Sequence, residues 1–175
     1  GSADPRTHLL DVEMTIAQPK AQQRLSLPVW IPGSYMVREF SRHLQDLQAR
    51  QGRHLLACKQ VNKNTWEVQT DPKRPLTLRY RVYAFDTSVR AAYLDSNRCF
   101  LNASSVCLQA HGHSEHPHTL SVEAPKGHAN WRVATGLTPL RVKASGWGLY
   151  LAADYHELID GPMQWGDFWS GQFEA

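Results

Sequence analysis

The feature that most constrains this chain is the strict two-residue alternation between Leu76 and Phe85. Leu76, Leu78, Tyr80, Val82 and Ala84 fall on one face, and Thr77, Arg79, Arg81, Tyr83 and Phe85 on the other. Successive side chains of a strand point to opposite faces, so this pattern predicts a half-buried β-strand. Its two arginines lie on the outward face, where they meet solvent or acidic neighbours across a strand. Residues 8–16 repeat the pattern: Leu10, Val12, Met14 and Ile16 oppose Asp11, Glu13 and Thr15.

Further short strands are predicted at Arg24–Val29, Leu55–Lys59, Thr65–Thr70, Leu120–Ala124, Trp131–Ala134, Leu149–Ala152 and Trp165–Phe173. Residues 43–50 suit either a strand or one helical turn. Gln51-Gly52-Arg53 reads as a hairpin turn, Asn62-Lys63-Asn64 as a polar turn and Asp71–Pro75 as a loop. Ala153–Asp160 reads as one short helical turn stopped by Gly161-Pro162. Many close-spaced strands with little helix predict an all-β domain, mostly antiparallel, either sandwich-like or a curved open sheet.

The chain has 175 residues, enough for one well-buried core. A net charge of +3, scattered along the sequence, is too mild for a nucleic-acid footprint. No apolar run reaches the length of a membrane span. Gly1-Ser2 reads as a cloning remnant and residues 1–7 as a disordered start before a domain at 8–175. The end at Ala175 has no punctuation and reads as a cut from a longer chain. Cys58, Cys99 and Cys107 have no paired spacing and point to no disulfide framework. With no signal segment, they favour a cytoplasmic placement; a trimmed leader would make it periplasmic or secreted.

Several stretches could carry chemistry. The corner from Trp30 to His43 packs Trp30, Ile31, Tyr35, Met36, Val37 and Phe40 around Pro32-Gly33, with Arg38, Glu39 and Arg42 beside them. It is either a packed corner of a β-domain or a rigid loop presented to a neighbouring domain or substrate. His111, His113, His116 and His118, with Glu115, lie within eight residues; imidazoles in such a tract can take Zn²⁺ or Ni²⁺ adventitiously. Their spacing is not that of a structural zinc site, and Gly112 and Pro117 predict an exposed loop. His156-Glu157-Leu158-Ile159-Asp160 is a near miss to HExxH, with aspartate at the fifth position and Gly161-Pro162 leaving no room for a long helix. It reads as coincidence. No P-loop, nucleophile elbow or dinucleotide fingerprint occurs. The segment Asp86–Leu108 is dense in hydrogen-bonding side chains, which suit a polar ligand rim or a set of turns.

The runs WIPGSYMVREFSRH, NTWEV, LRYRVYAFDTSVRAAYLD, FLNASSVCL, PHTLSVEAP, NWRVATGL, YLAADYHELIDGPMQWG and FEA follow one another in that order. Together, from about Leu9 to Ala175, they resemble the N-terminal domain of the glycyl aminopeptidases, family sixty-one of the metallopeptidase series. The resemblance implies an N-terminal β-domain followed by a thermolysin-like zinc domain and a PDZ domain, neither of which is in this sequence. It implies zinc only in the parent's catalytic domain and none in this chain. It also implies that the chain alone is not an enzyme and that its partners are that catalytic domain and a peptide substrate, not nucleic acid or membrane. Related aminopeptidases lay a loop of the β-domain over the active site. Phe100–Val106 is similar to that loop by position rather than by identical residues, which marks Asn102, Ser104 and Ser105 as substrate-facing, with Tyr35 and Arg38 next. At the position of His156 the family is commonly acidic, which argues against zinc there.

Two other readings stand beside this one. A free-standing binding module would stack carbohydrate or peptide on Trp30, Trp66, Trp131, Trp147, Trp165 or Trp169. A metal-binding protein would use the His111–His118 loop.

Overall fold

The computed structural model describes residues 3–4, 8–28, 44–83, 92–94, 98–102, 106–125, 127–128, 130–160 and 162–166. The corner at 30–43 therefore lies outside the described residues, as do Ser104, Ser105, Trp169 and the end of the expected strand at 165–173.

The first sheet has the order β1-β2-β8-β4-β5, formed by Ala3–Asp4 (β1), Leu9–Ile16 (β2), Leu76–Tyr83 (β8), Leu44–Gln51 (β4) and His54–Leu56 (β5). The two alternating stretches of the sequence pair directly, antiparallel, from Leu9 opposite Tyr83 to Ile16 opposite Leu76. Leu76, Leu78, Tyr80 and Val82 are buried. On the outward face Glu13 sits opposite Arg79 and Asp11 opposite Arg81, joined at 2.7 and 3.1 Å. These pairs are half-exposed and contribute little beyond fixing register. Of the stretch 43–50, the described part is strand, within Leu44–Gln51, with an irregularity between Gln45 and Gln48 where Asp46 takes φ 55°. The bulge adds length that a plain strand could not hold in register with β8. β1 lies within the stretch read from the sequence as a disordered start; it pairs with Leu9 and Leu10.

The second sheet runs β11-β3-β7-β6: Gln109–Ala110 (β11), Gln22–Ser26 (β3), Thr65–Gln69 (β7) and Cys58–Asn62 (β6). The expected single strand Leu55–Lys59 is two strands. The chain leaves the first sheet at Leu56 and joins the second at Cys58.

A third sheet, β13-β16-β10-β9, contains Arg132–Thr135 (β13), Pro162–Gly166 (β16), Arg98–Asn102 (β10) and Ala92–Leu94 (β9). A fourth, β12-β15-β14, contains His118–Val122 (β12), Gly148–Ala152 (β15) and Thr138–Val142 (β14). Every pairing is antiparallel and, among the described residues, no sheet closes into a barrel. The one short helix of the described residues, Tyr155–Asp160 (α1), sits where the sequence placed a helical turn. A single core joins the sheets through Leu25, Leu27, Val68, Leu78, Leu108 and Tyr155, among others.

Buried polar groups are used as ties. Gln51 is 4% exposed; its Nε2 donates to the carbonyls of Asp71 and Arg74 while its Oε1 accepts from Asp71 N–H. The loop after β7 is thereby fixed to the end of β4. Gly146 has φ 94°, and a Cβ there would fall 2.7 Å from the carbonyl oxygen of Val133, so the β14–β15 connection requires glycine.

Candidate functional site

A cleft of about 920 Å³ opens beside the first sheet. One wall is β2 and the residues just after it, and the other is β12 with the end of the histidine loop. Its floor includes Tyr80, Val106, Leu108, Leu158, Met163 and Trp165. The described lining carries Asp11, Glu13 and Glu123 but no lysine or arginine. His113, His116 and His118 stand at its rim.

The floor is held by two buried tyrosines. Tyr80 Oη donates to Val106 O at 2.6 Å and accepts Leu108 N–H at 3.3 Å. Tyr155 Oη donates to Cys107 O at 2.7 Å. Burial pushes both phenols above the usual tyrosine range, so both stay protonated donors. Burial likewise pushes the Cys107 thiol up to about 12 and Cys58 to about 11. Neither is a nucleophile at neutral pH.

The histidine loop is mostly exposed, as its glycine and proline suggest, yet it is anchored. His111 Nε2 lies 2.8 Å from Ser26 Oγ, and its carbonyl accepts from Gln23 Nε2 at 3.0 Å. Ser114 O accepts the Tyr155 N–H and Ser114 Oγ accepts from Gln109 Nε2. His113 and His116 face each other with Nδ1 atoms 3.3 Å apart, while His118 Nδ1 donates to His116 O at 2.7 Å. Desolvation, then the neighbouring His116, Lys20 and His118, lowers the His113 pKa; desolvation and Arg24 lower that of His111. The four imidazoles thus do not converge: among the described residues, no group of three or more His, Cys, Asp or Glu is arranged to hold a metal ion.

The HExxD run is helix α1, and its glutamate caps that helix. Glu157 N–H donates to Asp154 Oδ1 at 2.8 Å, and Glu157 Oε2 accepts the Ala153 N–H. A reciprocal cap satisfies amides left open by the first turn. The residues do not fit a zinc site.

Of the substrate-facing candidates, only the backbone of Asn102 is described. It ends β10, opposite Pro162 of β16. Tyr35, Arg38, Ser104 and Ser105 lie outside the described residues. Of the six tryptophans, Trp66, Trp131, Trp147 and Trp165 are buried. Trp147 Nε1 donates to Trp131 O at 2.6 Å and its ring meets Trp165 edge-on at 5.3 Å. As core residues these four are not stacking platforms, while Trp30 and Trp169 lie outside the described residues. The cleft itself was missed in the sequence. β2 and β12 were both legible as strands, but nothing local marks which edge of each is left open.

The sequence matches the Peptidase M61 N-terminal domain over residues 2–167. The chain belongs to this family. A crystal structure of an aminopeptidase N family protein from Idiomarina loihiensis is similar to this M61 N-terminal domain, with a TM-score of 0.90 and 42% sequence identity. The alignment covers 94% of this chain and 28% of that one, so the domain spans little more than a quarter of its structural relative. No curated protein matched. No helix among the described residues is long and apolar enough to cross a membrane.

Proposed function

We propose that this chain is the non-catalytic N-terminal domain of a zinc-dependent aminopeptidase acting on peptides with glycyl-type N-termini. It walls the active-site cleft of the following catalytic domain, excludes water there and helps position the amino end of the peptide. The observation that carries the reading is the family match over residues 2–167 in a chain that spans only 28% of a similar aminopeptidase-family protein. The zinc, its ligands and a PDZ domain belong to the remainder of the parent. The metal would supply Lewis-acid activation of water or the scissile carbonyl there. Asn102, Ser104 and Ser105 are the substrate-facing residues of the proposal, followed by Tyr35 and Arg38. The three cysteines favour a cytoplasmic parent.

The test compares three polypeptides on a glycyl chromogenic amide with zinc present. This chain alone is expected to release no product, and the parent enzyme to release it. Removing residues 1–167 from the parent is expected to lower kcat/KM at least tenfold. Turnover by the isolated chain, or an unchanged kcat/KM after the deletion, overturns the reading.

A further inference from the structure

Two of the four imidazoles in the histidine loop do meet. His113 Nδ1 and His116 Nδ1 lie 3.3 Å apart, with ring centroids 5.3 Å apart and ring planes at 66°. That separation is long for an N–H donor, whose acceptor ordinarily sits at about 2.9–3.0 Å. It fits two ligands of one ion. Two imidazole nitrogens, each ~2.05 Å from a zinc ion at the tetrahedral angle, stand about 3.3 Å from each other. At the right angle of a square-planar or octahedral ion they would stand only about 2.9 Å apart.

The backbone holds the pair in place. His116 N–H donates to His113 O at 3.1 Å, closing a turn with one histidine at each end. Before it, His113 N–H donates to the carbonyl of Ala110, the last residue of β11, at 3.0 Å. Ser114, inside the turn, is pinned twice: its carbonyl accepts the Tyr155 N–H of α1 and its hydroxyl accepts from Gln109 Nε2 of β11. Beyond the turn, His118 Nδ1 donates to His116 O. Much of the cost of ordering a chelate is therefore met when the domain folds. His116 is exposed, which opens the pair to solvent. The stem of Lys20 crosses Gly112 and opposes a cation, while the exposed Glu115 within the turn favours one. Among the described residues no third His, Cys, Asp or Glu joins the pair.

We propose that His113 and His116 bind one Zn²⁺ through their Nδ1 atoms, as a two-imidazole chelate whose remaining positions hold water. Both rings bind neutral, with the proton on Nε2. The His113 Nε2 has no acceptor among the described residues, a cost that leaves this open site weaker than a closed structural one. The site is separate from the catalytic zinc assigned to the remainder of the parent. It does not rest on the peptidase reading, since it concerns binding by this chain alone.

The test titrates zinc chloride into the metal-stripped chain by calorimetry, and cobalt(II) into the same protein by visible absorption. One zinc per chain is expected. His113→Asn and His116→Asn each weaken binding at least tenfold, while His111→Asn, His118→Asn and the remote His54→Asn weaken it less than threefold. Cobalt gives the intense visible bands of a four-coordinate ion, and His116→Asn abolishes them. Saturating zinc raises the Tm of the unaltered chain and leaves that of His116→Asn unchanged. Because His116 is exposed, that variant keeps its fold. Weakening shared evenly among the His111, His113, His116 and His118 variants would mean a loose tract and overturns the proposal. So does a six-coordinate cobalt spectrum, or saturation only at millimolar zinc.

Discussion

The phenol of Tyr80 donates to the carbonyl of Val106 at 2.6 Å, tying the middle of β8 to the chain that follows β10. The same oxygen receives Leu108 N–H. Tyr80→Phe keeps the ring and removes both bonds, leaving two backbone groups unpaired in the core. An unsatisfied buried group costs about 1–3 kcal/mol, so the variant is expected to lose about 2–3 kcal/mol in urea unfolding with an unchanged m-value. A loss below about 0.5 kcal/mol would mean that water or a shifted backbone replaces the phenol.

Gln51 presents a parallel case at the other end of the first sheet. Gln51→Leu preserves bulk but strands the N–H of Asp71 and the carbonyl of Arg74, and leaves the Asp71 carbonyl with only the Arg74 N–H. The expected cost is about 2–4 kcal/mol, with the earliest loss of hydrogen-exchange protection in the Asp71–Pro75 loop.

The histidine loop makes stability depend on pH. His113 and His111 have folded-state pKa values below the ordinary 6.5, mainly through desolvation. The unfolded chain therefore takes up these protons more readily than the folded one. Their contribution is complete above pH 6.5 and is lost as pH falls through the lowered values. Tm is expected to decline as pH falls below about 6.5. His113→Asn is expected to flatten that decline. An unchanged slope would assign the acid sensitivity to carboxylates.

Cys58 and Cys107 are expected to resist iodoacetamide at pH 7.5. Burial holds their pKa values near 11 and 12, so the thiolate fraction is minute. Mass spectrometry should find both alkylated only after denaturation. Rapid native labelling of Cys107 would show that the cleft floor opens.

The parts of this fold legible in the sequence are those with a face to declare. β2 and β8 alternate because one side is core and the other water, and even their charge pairing follows from register. β14 was not read at all. All five of its residues are exposed and it contains Pro139, so no pattern distinguishes it from a loop; pairing with β15 makes it a strand. The break at Ala57 was also invisible, since a chain that changes sheets needs no turn residue to do so. The cleft depends on two strands more than 100 positions apart, and periodicity describes faces, not edges. The histidines were conspicuous as a tract, but their directions are set by partners as distant as Ser26 and Tyr155.

The position of β16 constrains how the molecule is made. Pro162–Gly166 occupies the interior of its sheet, between Arg132–Thr135 and Arg98–Asn102. During synthesis those two flanking segments emerge from the ribosome first and cannot reach their final neighbour until Gly166 has cleared the exit tunnel. That half of the nascent chain must wait with its edges open, the interval in which a chaperone or a wrong strand can reach them.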